Sequence, residues 1–360
     1  MSKIDKFLQD IASKPGISDV HFEEGQKAYA RINSVLSGQD LACSREDILA
    51  FLSAHAEETS IDVEQFQAAI KKTGDRDFAL QCGKHRYRGN VYLTNGRKIT
   101  LALRQLPATI PELSSLGLPA AYIPLIEKSS RGILIVAGAT GSGKTTTLAS
   151  TVHYLNQNRK GHIITLEDPI EYIHTSGKCL VHQRQVGPDA SSFSHGLRAA
   201  LRQDPDIIMV GEMRDHDTVR TALDASNTGH LVLATLHTNS AQQSVDRLVS
   251  FFPEESRAWA QNVLSQTLLA VVCQALLKKS SGAGLALASE FLLNTPDVRS
   301  SIREGKTHQI FNHMDTGGSK GQVLFNNSLL RLVRTHQVSL ADAMMASPDP
   351  DRLRKEAENA

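Results

Sequence analysis

The chain has 360 residues, 41% of them apolar and 21% charged, with 39 basic against 38 acidic side chains for a net charge of +1. That length exceeds a single domain of ~100 to 150 residues, so two domains are expected, and the composition is that of a folded globular protein and not of a disordered one. A balance so close to zero leaves no electrostatic footprint for nucleic acid and disfavours it as a partner.

The opening MSKIDKFLQDIASK carries Asp5 and Asp10 and has no apolar core, so it is not a secretory signal. Ile4, Phe7, Leu8 and Ile11 repeat at helical spacing instead, and Ser44-x-x-Asp47 ahead of Ile48, Phe51 and Leu52 reads as a capped second helix. Val63, Phe66 and Ile70 suggest a third. From Asp77 the period becomes two: DFALQC, HRYRGNVYL and KITLALRQL are expected strands, the last two joined around Asn95-Gly96. Residues 1–106 are therefore read as a small α+β domain.

Pro107, Pro111, Pro119 and Pro124 interrupt regular structure, which places a linker at residues 107–119. Beyond it, ILIVAG, HIITLED, DIIMVGE and HLVLATLHT alternate with helical segments, the pattern of a buried parallel sheet with helical crossovers. The longest apolar stretch, Val263 to Leu277, contains Ser265, Gln266, Thr267 and Gln274 and is shorter than the ~20 residues a membrane span needs, so any membrane association is peripheral. From about residue 240 the expected pattern is helical to the end, with Thr295-Pro296 starting one helix. The domain boundaries follow as a core at 120–290 and a helical C-terminal region at 291–360. Cys43, Cys82, Cys179 and Cys273 form no C-x-x-C pair, consistent with reduced cytoplasmic thiols.

Gly138-Ala139-Thr140-Gly141-Ser142-Gly143-Lys144-Thr145, followed by Thr146, matches G-x-x-x-x-G-K-[ST] after an apolar strand and before a helix. In such a loop backbone N–H groups converge on phosphate, Lys144 neutralises β/γ charge and the Thr145 hydroxyl is offered to Mg²⁺. Asp206 to Glu212 reads as a strand ending in an acid, with Gly211 where many P-loop enzymes keep an aspartate. Glu212 can orient the attacking water, or serve only as a salt-bridge partner of Arg214. Glu167, Asp168 and Glu171 place three carboxylates in five residues after another apolar strand, either gathered around Mg²⁺ or forming a solvated acidic turn. His230 and His237 bracket the strand LVLATL, and each alone is more often packed or exposed than catalytic.

GATGSGKTTT, ITLEDPIEY, DPDIIMVGEMRD and TGHLVLATLHTNSA occur in the order and spacing of the Walker A, Asp box, Walker B and His box of the type II/IV secretion ATPases. The resemblance runs from roughly residue 18 to 340, and the chain resembles most the type IV pilus retraction ATPases, the PilT family. It shares their GEMRD form at Gly211 to Asp215 and matches their AIRNLIRE motif at Arg299, Ile302, Arg303 and Glu304, with Ser301 and Asp297 departing from it. The tetracysteine zinc element of the extension and secretion relatives is not among its four scattered cysteines.

This resemblance implies a RecA-like P-loop core, a small N-terminal α+β (PAS-like) domain and a helical C-terminal region. It implies ATP as substrate, Mg²⁺ as cofactor, Glu212 or Glu171 as activator of water, Glu171 also in the metal shell, and His230 and His237 as γ-phosphate sensors. Arg88 and Arg104 match the two arginines with which the family's N-terminal domain reaches nucleotide; the alternative is two cations on an exposed hairpin. A two-residue loop at Asn95-Gly96 would pair Arg88 with Leu103 and put Arg104 on the other face; if both arginines are nucleotide ligands, a three-residue loop centred on Gly96, or an equivalent bulge, is expected to set them opposite each other. Homohexamer formation, a cytoplasmic place at the pilus base, an inner-membrane platform protein as partner and room for a second retraction ATPase are further implications. An assembly or secretion ATPase is the competing reading of the same chemistry, and a non-hydrolysing accessory subunit the competitor from another class.

Overall fold

The computed structural model describes residues 1–33, 35–56, 74–107, 109–282, 284–318 and 321–358. They form two compact units: Met1–Ile110 with Pro169–Ile173, and Pro111–Asp168 with His174–Ala360. The helix expected around Val63, Phe66 and Ile70 lies outside the described residues.

In the first unit α1 (Lys3–Ala12) and α2 (Arg45–Ala54) each begin with a capping box, Ser2 with Asp5 and Ser44 with Asp47, which satisfies orphan N–H groups at both starts. Six antiparallel strands follow the order β3-β2-β1-β6-β5-β4. They are β1 (Ile17–Glu23), β2 (Lys27–Ile32), β3 (Val35–Ala42), β4 (Asp75–Cys82), β5 (His85–Thr94) and β6 (Lys98–Gln105). Ile4, Leu8 and Ile11 of α1 and Ile48, Phe51 and Leu52 of α2 pack with Val20, Phe22, Phe78, Tyr87, Leu101 and Leu103 of the sheet. The first three strands escaped the sequence reading, although Val20 and Phe22 alternate with polar neighbours as half-buried strands do.

Period two sends the remaining residues to the opposite face. Register aligns Arg31 with Asp19, Asp19 with Arg104, and Arg104 with Arg88 in one row across four strands. Thr94 pairs with Lys98, so the β5–β6 loop is Asn95, Gly96 and Arg97, all at positive φ. It is the three-residue loop that places Arg88 and Arg104 opposite each other.

The second unit is built on a seven-stranded sheet of order β13-β12-β7-β11-β10-β8-β9, parallel except where β13 joins β12. Its strands are β7 (Gly132–Ala137), β8 (Gly161–Glu167), β9 (Cys179–Gln185), β10 (Ile207–Val210), β11 (Leu231–Leu236), β12 (Leu268–Lys278) and β13 (Leu285–Leu293). β7, β10 and β11 are buried along their whole length, as strands covered on both faces must be. Ile133 and Ile135 face α6 (His216–Asn227), α7 (Ala241–Ser250) and α8 (Glu254–Thr267), and α5 (Phe193–Ala200) adds Leu197 to that side. Leu134 and Val136 face α3 (Tyr122–Lys128) and α4 (Lys144–Asn158) on the other. The expected linker does not stay loose beyond residue 110: Leu113 is buried in that second cluster, and Ser150 Oγ donates to the Pro111 carbonyl at 2.7 Å.

The expectation of helix from residue 240 to the end is overturned by β12 and β13. LLAVVCQALLK is buried on both faces between β7 and β13, and such a run has no period to separate strand from helix. Helices do return afterwards, as α9 (Pro296–Arg303, with Thr295 at its N-cap), α10 (Ile310–Thr316), α11 (Phe325–Arg334), α12 (Leu340–Ala346) and α13 (Pro350–Glu358). Leu329, Leu332, Ala343 and Leu353 of these helices pack on Leu277, Ala286 and Ala288 of the strand pair.

Candidate nucleotide site

Parallel register brings the carboxyl ends of β7, β8, β10 and β11 to one edge of the sheet, where α/β folds gather their chemistry. From β7 the chain enters the loop at Gly138, and α4 starts at Lys144 with no side chain capping it. Gly143, at φ 88°, sits in the left-handed region that glycine tolerates. At Gly138 a Cβ would come within 2.4 Å of the Gln274 carbonyl, so only glycine lets the loop lie against β12. The uncapped helix start, the buried Ser142 Oγ with no hydrogen-bond partner among the described residues, and the glycine backbone fit an anion held by N–H and hydroxyl donors. Ala139, Thr140 and Gly141 line the exposed rim of the loop, and Thr145 and Thr146 are half-buried in the first helical turn.

Lys144 Nζ turns back and donates to the carbonyls of Gly138 at 2.8 Å and Ala139 at 3.0 Å. It also lies 3.4 Å from His237 Nδ1. An ammonium has no acceptor, so His237 Nδ1 must accept and its proton must sit on Nε2, which then donates to Glu212 Oε1 at 3.2 Å. The other carboxylate oxygen of Glu212 meets Arg214 Nη2 at 2.7 Å. Lys144, His237, Glu212 and Arg214 thus form one chain of polar contacts across the ends of three strands. Burial lowers the Lys144 pKa, and Glu212 works against that fall. Burial alone would raise the Glu212 carboxyl, but the hydrogen bonds and charges of Arg214 and His237 hold it below the usual carboxylate range. Glu212 is therefore ionised near neutrality, and its salt bridge with Arg214 belongs to the same run of contacts as His237 and Lys144.

Two parts of this site carried no signal in the sequence reading. Gln274 of β12, 3% exposed, donates through Nε2 to the Ser142 carbonyl at 2.7 Å and accepts from Thr147 Oγ1 at 3.1 Å, stapling the loop to α4. Thr235 Oγ1 donates to the Gly211 carbonyl and so ties β11 to the turn that aims Glu212. Both are ordinary polar residues inside apolar strands, and only the strand neighbours reveal their purpose.

Other expected site residues go elsewhere. His230 precedes β11, at the amino end of the strand, and its Nδ1 meets the Ala225 carbonyl at 3.0 Å. A strand of 6 residues spans roughly 20 Å, which separates His230 from the loop and from His237 in its own protomer. Glu167 is 5% exposed, and its Oε1 accepts from Thr165 Oγ1 at 2.6 Å and Gln183 Nε2 at 3.0 Å. Asp168 is exposed and near enough to Arg214 to raise its pKa, after the larger effect of the Glu212 hydrogen bond. Glu171 groups with the first unit, where its carbonyl accepts from Arg86 Nη1 at 3.4 Å. Arg88 and Arg104 also belong to that unit.

Among the described residues no three His, Cys, Asp or Glu side chains form a ready-made metal site. Mg²⁺ usually keeps several waters and takes one or two protein ligands beside phosphate oxygens. The Thr145 hydroxyl in the first turn of α4 suits that role, with Asp168 and Glu212 able to receive the ion's waters.

The family model for the type II/IV secretion system protein matches residues 1–309. The type IV pilus retractation ATPase PilT of Pseudomonas aeruginosa is 38% identical over 96% of this chain and 98% of its own length. An uncharacterized protein of Escherichia coli, YggR, is 47% identical over 73% of this chain and 80% of its own. The crystal structure of the pilus retraction motor PilT with bound ADP superposes with a TM-score of 0.87 at 40% identity, covering 99% of this chain and 100% of that one. A P-loop closed by Lys144, an acid held ready at Glu212 and these likenesses over nearly the full chain agree: the chain belongs to the type II/IV secretion system protein family, in its PilT-like branch of ATPases.

Proposed function

We propose that this chain hydrolyses ATP with Mg²⁺ as a homohexameric motor that powers retraction of a type IV pilus. The observation that carries the chemistry is the contact chain from Lys144 through His237 to Glu212 at the mouth of the glycine loop. In the reaction the loop's N–H groups and Lys144 hold the β- and γ-phosphates. Glu212 orients a water in line with the γ-phosphorus and accepts its proton as the new P–O bond forms and the bond to the β-phosphate oxygen breaks. His237, now between Lys144 and Glu212, is displaced toward the γ-phosphate and reports its presence. Mg²⁺, when bound, neutralises charge on the phosphate oxygens. Asp168 and Glu171 remain candidates for the outer metal shell, and Glu212 is the main activator of water.

The row of Arg31, Arg104 and Arg88, with Asp19 between the first two, supports a role for the first unit in contacting a neighbouring protomer's nucleotide in the ring. The linker at 107–119 is the proposed hinge between the domains at 1–106 and 120–290, and the region 291–360 the proposed output surface. Among the described residues no helix is long and apolar enough to cross a membrane. The proposed setting is the cytoplasmic face of the inner membrane, against a platform protein of the pilus, with a second retraction ATPase as an optional companion and no nucleic-acid partner.

Phosphate release from the purified chain and from Lys144→Ala, measured together with particle size in the presence and absence of nucleotide, tests the motor reading. Turnover by a ring in the wild type alone is expected; an inert wild type would leave a nucleotide-binding accessory subunit. Deleting the gene tests direction: surviving, excess pili without twitching support retraction, and bald cells support assembly.

A further inference from the structure

Glu290 is a buried acid that the chemistry above does not use. It lies on β13 opposite Cys273 of β12, 8% exposed. Its Oε1 accepts the backbone N–H of Ala241, the first residue of α7, at 2.6 Å. The same strand packs against α11, which begins at Phe325. The carboxylate thus satisfies an orphan donor at the start of α7, an end that favours negative charge. Burial raises the carboxyl's pKa, and the bond from Ala241 offsets only part of that rise.

The two helices lead to different places. α7 follows directly on the segment from His237 to Ser240, which is held tightly: Thr238 Oγ1 and Ser244 Oγ are 2.7 Å apart, and Ser244 Oγ donates to the Ser240 carbonyl at 2.8 Å. α11 opens the C-terminal helical layer and is stitched to β13 around Glu290. Phe291 and Val323 exchange backbone hydrogen bonds at 2.7 and 3.0 Å, and Ser289 N donates to Ser328 Oγ at 3.1 Å. On the other side of the strand pair, Gln274 holds the glycine loop.

We propose that Glu290 is a positioning residue that couples His237 to the C-terminal helices, its carboxylate fixing the start of α7 to the strand whose neighbouring residues, Ser289 and Phe291, hold the entry to α11. The inference rests on the nucleotide reading of the site and deepens it: the shift of His237 toward a γ-phosphate is passed through α7, Glu290 and α11. Arrangement of this kind fits a motor, whose chemistry must move something outside the nucleotide site.

The test uses the full chain, a fluorescent ATP analogue for affinity, and hydrogen–deuterium exchange of peptides covering 321–335 with and without a non-hydrolysable ATP analogue and Mg²⁺. In the wild type, analogue binding is expected to change exchange in those peptides. Glu290→Gln keeps the shape of the side chain and removes the charge that faces the start of α7. It is expected to bind the analogue as the wild type does, to lose the exchange response, and to lower kcat roughly tenfold to a hundredfold with KM for ATP unchanged. Glu290→Asp, which keeps the charge but withdraws it by one methylene, replaces the Gln variant if that fails to fold and is expected to lose the same response. A wild type that binds the analogue without any response in 321–335, or a folded variant that keeps the response, would overturn the coupling. A wild type that binds no analogue would instead overturn the nucleotide reading, and the coupling with it.

Discussion

Arg88 of β5 and Arg104 of β6 stand directly opposite each other on the outer face of the first unit's sheet, and Asp19 of β1 stands opposite Arg104 on its other side. Arg104 Nε donates to Asp19 Oδ1 at 2.8 Å, whereas Arg88 is exposed and has no ion pair among the described residues. Like charges in register repel, and one carboxylate cannot neutralise both. Arg88→Ala and Arg104→Ala are each expected to lower turnover by roughly 10³-fold in the assembled ring, as loss of an arginine from a transferring phosphoryl group does. Steady-state phosphate release checks this, and an unchanged rate removes that arginine from the site.

The low Glu212 pKa is borrowed from its neighbours. Burial would raise it, and Arg214 and His237 more than reverse that effect. Removing Arg214 lets the carboxyl titrate at higher pH. Because the reaction needs the carboxylate, the acid limb of the kcat/KM profile of Arg214→Ala is expected to move to higher pH. A limb that stays where it is in the wild type would assign the titration to another group.

The two histidines that bracket β11 are expected to part company. His237→Ala breaks the link between Lys144 and Glu212 and should lower turnover roughly tenfold to a hundredfold, the loss of a hydrogen bond to a charged group at ~1.5–3 kcal/mol. His230→Ala, at the far end of the strand, should leave analogue affinity unchanged in the same titration. Equal losses of affinity from both would mean that His230 reaches a nucleotide held by another protomer.

Asp5 offers a test of pH-dependent stability in the first unit. Its side chain is 7% exposed, and burial would raise its pKa, but hydrogen bonds from His55 and Ser2 lower it overall. The folded value therefore lies below the unfolded one, so its stabilisation is present above the unfolded pKa and is lost as pH falls through the folded value. Asp5→Asn is expected to cost about 1–3 kcal/mol near neutrality, and the gap between the urea midpoints of variant and wild type should close on acidification. A gap constant with pH would trace the loss to packing alone.

Much of this was legible in residues whose types are forced by geometry. Ser2 with Asp5 and Ser44 with Asp47 announced their helices because capping is a local contract between side chain and backbone. The glycines and Lys144 announced the phosphate loop because few residues can serve there, and Asn95-Gly96 announced a hairpin but left its register open until the three-residue loop showed Arg88 opposite Arg104. What stayed hidden depended on neighbours far along the chain. Leu268–Lys278 has an apolar pattern equally suited to a buried helix, and only its place beside β7 makes it a strand. His230 and His237 looked equivalent in a linear string, yet a parallel strand has two unlike ends and only the carboxyl end meets the loop. Gln274, Thr235 and Glu290 read as incidental polar residues because their partners, Ser142, Gly211 and Ala241, are set by the sheet order.

Strand order also governs how the protein is made. β7 lies between β11 and β12, and both are synthesised after it, the second only once the ribosome has passed Lys278. Until then the nascent ATPase unit carries an apolar strand with an unpaired edge, the kind of surface that invites aggregation and that chaperones shield. Translation must therefore outrun misassociation across the whole interval from Gly132 to Lys278, and a ribosome stalled inside it would leave β7 without its β12 neighbour.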